Sequence, residues 1–223
     1  MPARVARLPG RPSIFLVVPP EHRARGAPPM ANWLDAYFGL RGQAYYLGLL
    51  SAAALHGSSQ QALRVTQILT TKPMRPIEIG RLHIDFYVKS NLGETPLAQL
   101  AKLPAPLAVS TPEATALDLM AFSHRIGGIR RATEVIADLR PVMTLAGLKE
   151  ALNAESQTAV KRRLGYVLAL LGLDRMAAEV QKSLTHRLEP VTLKTHAGSN
   201  YPKSGVSQPW IVCDNIGLDC KDK

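Results

Sequence analysis

Residues Tyr45–Gly57 read YYLGLLSAAALHG, a run that is apolar nearly all the way round. At about 100° per residue, Tyr45, Leu49, Ala52 and His56 share one helical face, while Leu47, Leu50 and Ala54 fall on the others. A helix without a polar face is a buried helix. Three alanines and Ser51 keep this one thin, so that neighbouring elements can approach closely. On this reading Leu50→Asp unfolds the domain, because a buried charge without a partner costs several kcal/mol.

About sixty residues on, Ser110–Leu119 reads STPEATALDL, a helix start. With Ser110 as the cap, Glu113 completes a capping box. With Thr111 as the cap, Pro112 takes its favoured first helical position. Both alternatives begin a helix at the same place. Helices are expected over 112–123, 129–139, 145–153 and 157–171, punctuated by Gly127-Gly128, Pro141 and Gly172. In the fourth, Val160, Leu164, Val167 and Leu171 form one stripe, with Lys161 and Arg162 pointing away and Arg163 at the flank. Asn32 is placed to cap an earlier helix holding Trp33, Leu34, Tyr37 and Phe38.

Strand signals surround these helices. Ser13–Val18 is followed by Pro19-Pro20, and with the arginine-bearing residues 1–12 and a Pro9-Gly10 turn it makes a short basic hairpin. Arg64–Thr71 is β-rich. Ile77, Ile79, Leu82, Ile84, Phe86 and Val88 alternate about Gly80-Arg81, a hairpin pattern. Leu107–Ser110, Arg187–Leu193 and Trp210–Cys213 are short strand candidates, with a polar loop over Thr195–Ser207. The sum is an α+β chain: a mixed helix and sheet main domain preceded by a basic β-hairpin.

The chain has 223 residues and a net charge of +10, which favours anionic partners: nucleic acid, an acidic protein or a membrane surface. Its two cysteines, Cys213 and Cys220, suit neither a disulfide scaffold nor a zinc site, so free thiols are expected. No apolar run reaches the eighteen or so residues of a membrane span. The N-terminus lacks the apolar core of a signal peptide, so a cytoplasmic protein is expected.

Nothing in the sequence assembles a catalytic centre. The six histidines are scattered, none at ligand spacing. His56 ends the apolar run, where an imidazole suits the negative end of a helix dipole. Gly57-Ser58 resembles the opening of a nucleotidyltransferase site, but the next carboxylates, Glu78 and Asp85, are far apart and unpaired, where that chemistry needs two or three to hold magnesium. Asp118, a lone helical carboxylate, reads as a solvated or capping group rather than a catalytic acid. There is no P-loop, strand-following GxGxxG or GxSxG elbow. No enzyme, cofactor or metal site is expected.

The two runs above, with Phe15–Glu21, Gly26–Pro29, Gly127-Gly128-Ile129, Arg163–Leu168 and Trp210-Ile211-Val212, resemble the AbiEi family of antitoxins from type IV AbiE toxin–antitoxin systems, over about residues 14–215. The resemblance implies a regulatory partner that counteracts a nucleotidyltransferase toxin, with a winged helix-turn-helix ahead of the larger domain that binds promoter repeats. It divides the chain into a partial winged-helix remnant at 1–20, a linker at 21–31, the antitoxin domain at 32–215 and a frayed tail at 216–223. The hairpin then corresponds to the wing, and Arg4, Arg7 and Arg11 to weak phosphate contacts. Helices that precede the wing in the family have no counterpart in these residues, so DNA-binding autorepression is expected to be impaired. Arg130, Arg131, Lys161 and Arg162 are the candidates for meeting an acidic toxin surface, or else are solvated helix faces. The alternative function is a DNA-binding transcriptional regulator whose larger domain dimerises or senses a partner.

Overall fold

The computed structural model describes residues 4–9, 13–58, 64–98, 107–184, 190–193 and 206–218. Their contacts divide the chain into two compact units, Met1–Ala52 with Gln61–Ser110, and Ala53–Gln60 with Thr111–Lys223.

The first unit begins with the expected hairpin, β1 (Arg4–Leu8) paired antiparallel to β2 (Ile14–Val18). Helix α1 (Leu34–Arg41) follows a 3-10 turn at Met30–Asn32, which makes Trp33 rather than Asn32 the N-cap. A six-stranded mixed sheet is then built from β3 (Tyr45–Leu47), β4 (Thr66–Thr70), β5 (Ile77–Ile79), β6 (Leu82–Val88), β7 (Leu97–Ala98) and β8 (Val109–Ser110), in the order β5-β6-β4-β3-β8-β7. Leu8 and Leu16 of the hairpin share one apolar core with Leu34, Tyr37 and Phe38 of α1 and with Tyr45, Leu47, Ile68 and Ile84 of the sheet. Phe38 stacks on Tyr45 at a centroid distance of 4.2 Å.

Tyr45–Leu47 is therefore strand, not the start of a helix. It lies between β4, antiparallel, and β8, parallel, and all three of its residues are buried. A short run buried on both faces has no alternation, and periodicity cannot tell it from a buried helix. The helix α2 (Leu49–Leu55) is only seven residues long, with Ala54 and Leu55 exposed and Leu50 half-buried. Its register is set by Gln67: the Leu50 N–H donates to Gln67 Oε1 at 2.9 Å, and the Gln67 N–H donates to Ser51 Oγ at 2.8 Å. Ser51 is thus a polar anchor for α2 on β4.

The β5–β6 hairpin forms as read, turning at Gly80-Arg81. Gly80 (φ +59°) packs against Gly26 (φ +79°) so closely that a Cβ on Gly80 would lie 2.4 Å from the Arg25 carbonyl oxygen. The Arg81 N–H donates to that same oxygen at 3.0 Å. The expected linker at 21–31 is in consequence tied to the sheet.

Burial holds the Tyr45 hydroxyl well above its ordinary pKa, with further support from Asp35, which accepts its hydrogen bond at 3.3 Å. Burial also raises Tyr37, partly offset by Arg41. A folded pKa above the unfolded one stabilises fully below pH about 10 and less as pH rises beyond it. Stability is expected to fall above pH 10 by up to about 1.4 kcal/mol per pH unit for each group, and Tyr45→Phe should remove its share. Melting curves at pH 8 to 11 for both proteins check this.

The second unit is largely helical: α3 (Pro112–Ala121), α4 (Ile129–Leu139), α5 (Leu145–Ala154), α6 (Thr158–Leu170) and α7 (Asp174–Lys182). The first four match the expected helices, whereas α7 was not anticipated. A small sheet of β9 (Val191–Thr192), β10 (Val206–Ser207) and β11 (Val212–Cys213) has the order β10-β11-β9. The structure settles the cap of α3 in favour of Thr111, whose Oγ1 accepts from the Ala114 N–H at 3.2 Å. Glu113 is free to serve a different helix. Buried, it accepts the N–H and hydroxyl of Thr144 at the N-terminus of α5, while Thr144 Oγ1 accepts from Gly147 N at 3.0 Å. A Cβ at position 147 would lie 2.6 Å from the Glu113 carboxylate, so a side chain there would displace it.

Candidate nucleic-acid and partner surfaces

Alternation along the basic hairpin turns Val5, Arg7, Phe15 and Val17 outward, and Val5, Phe15 and Val17 are each more than half exposed. Across the strands Val5 faces Val17 and Arg7 faces Phe15. This outer face is therefore mixed apolar and cationic. Arg4 opens β1, and Arg11 lies outside the described residues.

Arg7 also lines a cleft of about 720 Å³ with Leu8, Pro9, Arg41 and the Pro73–Pro76 loop, which contributes Arg75. Sequence reading missed Arg41 and Arg75 because neither belongs to a basic run. Arg41, in the last turn of α1 before the left-handed Gly42, reads simply as a favourable charge at a helix C-terminus. The Pro9 carbonyl draws it in, accepting from Arg41 Nη1 at 3.0 Å and from the Tyr37 hydroxyl at 2.6 Å. Arg41 also lies over the Tyr37 ring, 5.4 Å from its centroid.

The four candidates in the second unit separate into different environments. Arg130, exposed on α4, donates from Nη2 to the carbonyls of Gly217 at 2.9 Å and Ile216 at 3.3 Å. Arg131 and Lys161 are half-buried. Arg162 does not point away from the core: it is 2% exposed, its Nε donates to the Trp210 carbonyl at 2.7 Å, and its Nη2 donates to the Ile211 carbonyl. Burial, and then the neighbouring Arg163 charge, lower its pKa. Arg163 Nε similarly donates to the Thr192 carbonyl at 2.8 Å. The helix can carry these cations inward because the carbonyls of Thr192 in β9, and of Trp210 and Ile211 just ahead of β11, accept from them.

That packing places Trp210 on Gly165, where a Cβ would lie 2.1 Å from the indole Cζ3. Arg162 therefore fastens the chain's own C-terminal strand and leaves the set of residues open to a partner. Sequence reading could not see this, since a Lys-Arg-Arg triplet on a helix looks the same whether or not a distant strand covers it.

Glu78 and Asp85, far apart in the sequence reading, both meet His83, whose Nε2 lies 3.6 Å from Glu78 Oε1. Ser58 Oγ donates to Asp138 Oδ2 at 2.8 Å, which gives Gly57-Ser58 a structural part. Asp118 is fully buried in α3, not solvated. Asp85 lies on β6 beside His83, 3.3 Å away. Among the described residues no group of three His, Cys, Asp or Glu could hold a metal ion. No helix there is long and apolar enough to cross a membrane.

The AbiEi antitoxin C-terminal domain matches residues 46–170, more than half of the chain. The chain belongs to the AbiEi antitoxin family. That membership gives it an antitoxin role in a toxin–antitoxin system, and hence a toxin partner. The matched AbiEi span runs from β3 through α6 and includes the Gln67 anchor, the Glu113–Thr144 pair and Arg162. In fold the chain is similar to the crystal structure of RV2827C protein from Mycobacterium tuberculosis, with a TM-score of 0.64 over 96% of this chain and 76% of that one, at 17% identity. Among curated proteins none matches.

Proposed function

We propose that this AbiEi chain acts in the cytoplasm, counteracting a nucleotidyltransferase toxin by binding it. The family match over 46–170 carries the reading, and the toxin class follows from what the family resemblance implies. Direct binding is favoured over modification of the toxin because no group of three His, Cys, Asp or Glu able to hold a metal ion occurs among the described residues. The exposed Arg130, with Arg131 and Lys161, is the surface we assign to an acidic patch on the toxin. Charge complementarity of this kind mainly raises association rate and specificity.

Co-expression of the full chain with the toxin encoded beside it tests this through host growth and co-purification. Restored growth with a stable complex is expected. Arg130→Glu combined with Arg131→Glu should cut complex recovery about tenfold, the effect of a rim charge reversal. Growth without co-purification would refute binding, and no rescue by a folded protein would refute the toxin pairing.

The exposed Arg7 favours a second reading, contact with DNA phosphates by Arg4, Arg7 and Arg11. Two or three such contacts support only weak, salt-sensitive binding, so autorepression through the hairpin alone would be weak.

A further inference from the structure

We propose that the cleft lined by Arg7, Arg41 and Arg75 is a binding site for a phosphorylated ligand. The three arginines come from three separate elements, strand β1, the last turn of α1 and the loop between β4 and β5, and Arg7 Nη2 also donates to Ser13 Oγ at 3.3 Å. Among the described residues that line the cleft there is no carboxylate, so nothing there neutralises them. Like charges gathered without a counter-charge repel one another. An arrangement of this kind becomes favourable when an anion enters it.

Two features make the site built rather than incidental. Arg41 is fixed by the Pro9 carbonyl and the Tyr37 ring, yet its Nε–H is buried without a hydrogen-bond partner among the described residues. A buried donor left so carries a desolvation cost that an anionic oxygen in the cleft would remove. Arg75 stands between Pro73 and Pro76, and a residue preceding proline is confined to extended backbone. The start of that loop is fastened too, since the Lys72 carbonyl accepts from Thr70 Oγ1 at 2.8 Å and from Gln43 Nε2 at 3.5 Å. Arg75 is thereby presented with little backbone freedom left to lose.

Arginine forks match phosphate oxygens in pairs. About 720 Å³ exceeds what a lone phosphate fills and lies within the usual range for a nucleotide-sized ligand. The ligand chemistry is therefore a phosphoanion with more than one phosphate or an attached nucleoside. Its source is either a nucleic-acid backbone or a free nucleotide. The site does not depend on the toxin reading, because it is tested with the purified chain alone.

The experiment titrates the full chain with a labelled short DNA duplex of random sequence, by anisotropy, and with inorganic pyrophosphate, by calorimetry. The variants are Arg7→Gln/Arg75→Gln, both at exposed positions, Arg75→Gln alone, and Arg41→Lys, which keeps the charge but removes the Nε–H. At low salt the double variant is expected to bind the effective probe at least tenfold more weakly. With the duplex it should also lower the log–log salt slope by about 2, one for each lost phosphate contact. Arg41→Lys should weaken binding several-fold with its melting temperature kept. Pyrophosphate binding at one per chain and displacing the duplex points to a free nucleotide. Duplex binding that pyrophosphate does not displace points to a nucleic-acid backbone. Either result supports the site where Arg75→Gln alone also weakens binding; Arg75→Gln without effect beside a weakened double variant assigns the binding to the hairpin and overturns the site. It is overturned if neither probe binds the wild-type chain, or if the variants bind both probes as the wild type does.

Discussion

Gly165→Leu is expected to lower the melting temperature of the second unit by roughly 6–12 °C, a loss of about 3 kcal/mol at 2–4 °C per kcal/mol. The residue sits inside α6 beneath the Trp210 indole, whose Cζ3 lies 2.1 Å from where a Cβ would be. A glycine in mid-helix ordinarily costs about 1 kcal/mol against alanine, so on propensity alone the substitution should stabilise. Packing reverses the sign. The indole is broad and rigid, and Arg162 Nε holds the carbonyl of the same residue at 2.7 Å, so the ring cannot step aside cheaply. Overpacking typically costs 1–3 kcal/mol, and expelling Trp210 would add the loss of a buried aromatic. Only one other tryptophan occurs, Trp33, and in a Trp33→Phe background a red shift of emission on making Gly165→Leu would report the expulsion. In a Trp210→Ala background the leucine should become neutral or favourable, a coupling that neighbouring residues produce and distant ones do not. Equal cost in both backgrounds would contradict the packing described.

Leu49→Asp should prevent the first unit from folding, while Leu50→Asp next to it should cost no more than about 2 kcal/mol. Leu49 is fully buried, and its removal alone is worth about 2–5 kcal/mol. The carboxylate would further be stripped of water without a partner. Against a total stability of about 5–15 kcal/mol, the sum leaves little. Leu50 is half-buried in the first turn of α2, where a negative charge suits the helix dipole. Soluble yield and near-ultraviolet circular dichroism of the two variants separate these outcomes. A Leu49→Asp protein melting within a few degrees of the wild type would sink the register.

This pair also marks where sequence reading reached its limit. The apolar run does lie at the centre of the fold, yet read as one helix it offers Leu50 as a buried position, and Leu50 is half-buried. Tyr45–Leu47 is a strand on account of its neighbours, β4 and β8, the second of them some sixty residues away in the chain. Local signals served well where local chemistry decides. Gly80-Arg81 gave its hairpin and Thr111-Pro112 its helix start. They failed where a distant partner decides: Arg162 turned inward to meet β11, and Glu113 left its own helix to cap α5. Arg41 and Arg75 were invisible as neighbours of Arg7 for the same reason, each step from position 7 to 41 to 75 being 34 residues. Helix α7 was overlooked although Ala177 and Val180 give it a buried side at helical spacing.

The strip 53–58 belongs with residues that follow position 110, while the sheet that flanks it in sequence belongs to the first unit. On the ribosome this imposes an order. The strip leaves the exit tunnel before the last strands of the sheet have been made, and Asp138, the acceptor for Ser58, is synthesised eighty residues later. At about 5–20 residues per second, the strip waits several seconds for its neighbours. Strand β3 waits almost as long for β8. A gene segment beginning at Thr111 would translate the helices without that strip, leaving the site that Ser58 fills on Asp138 open.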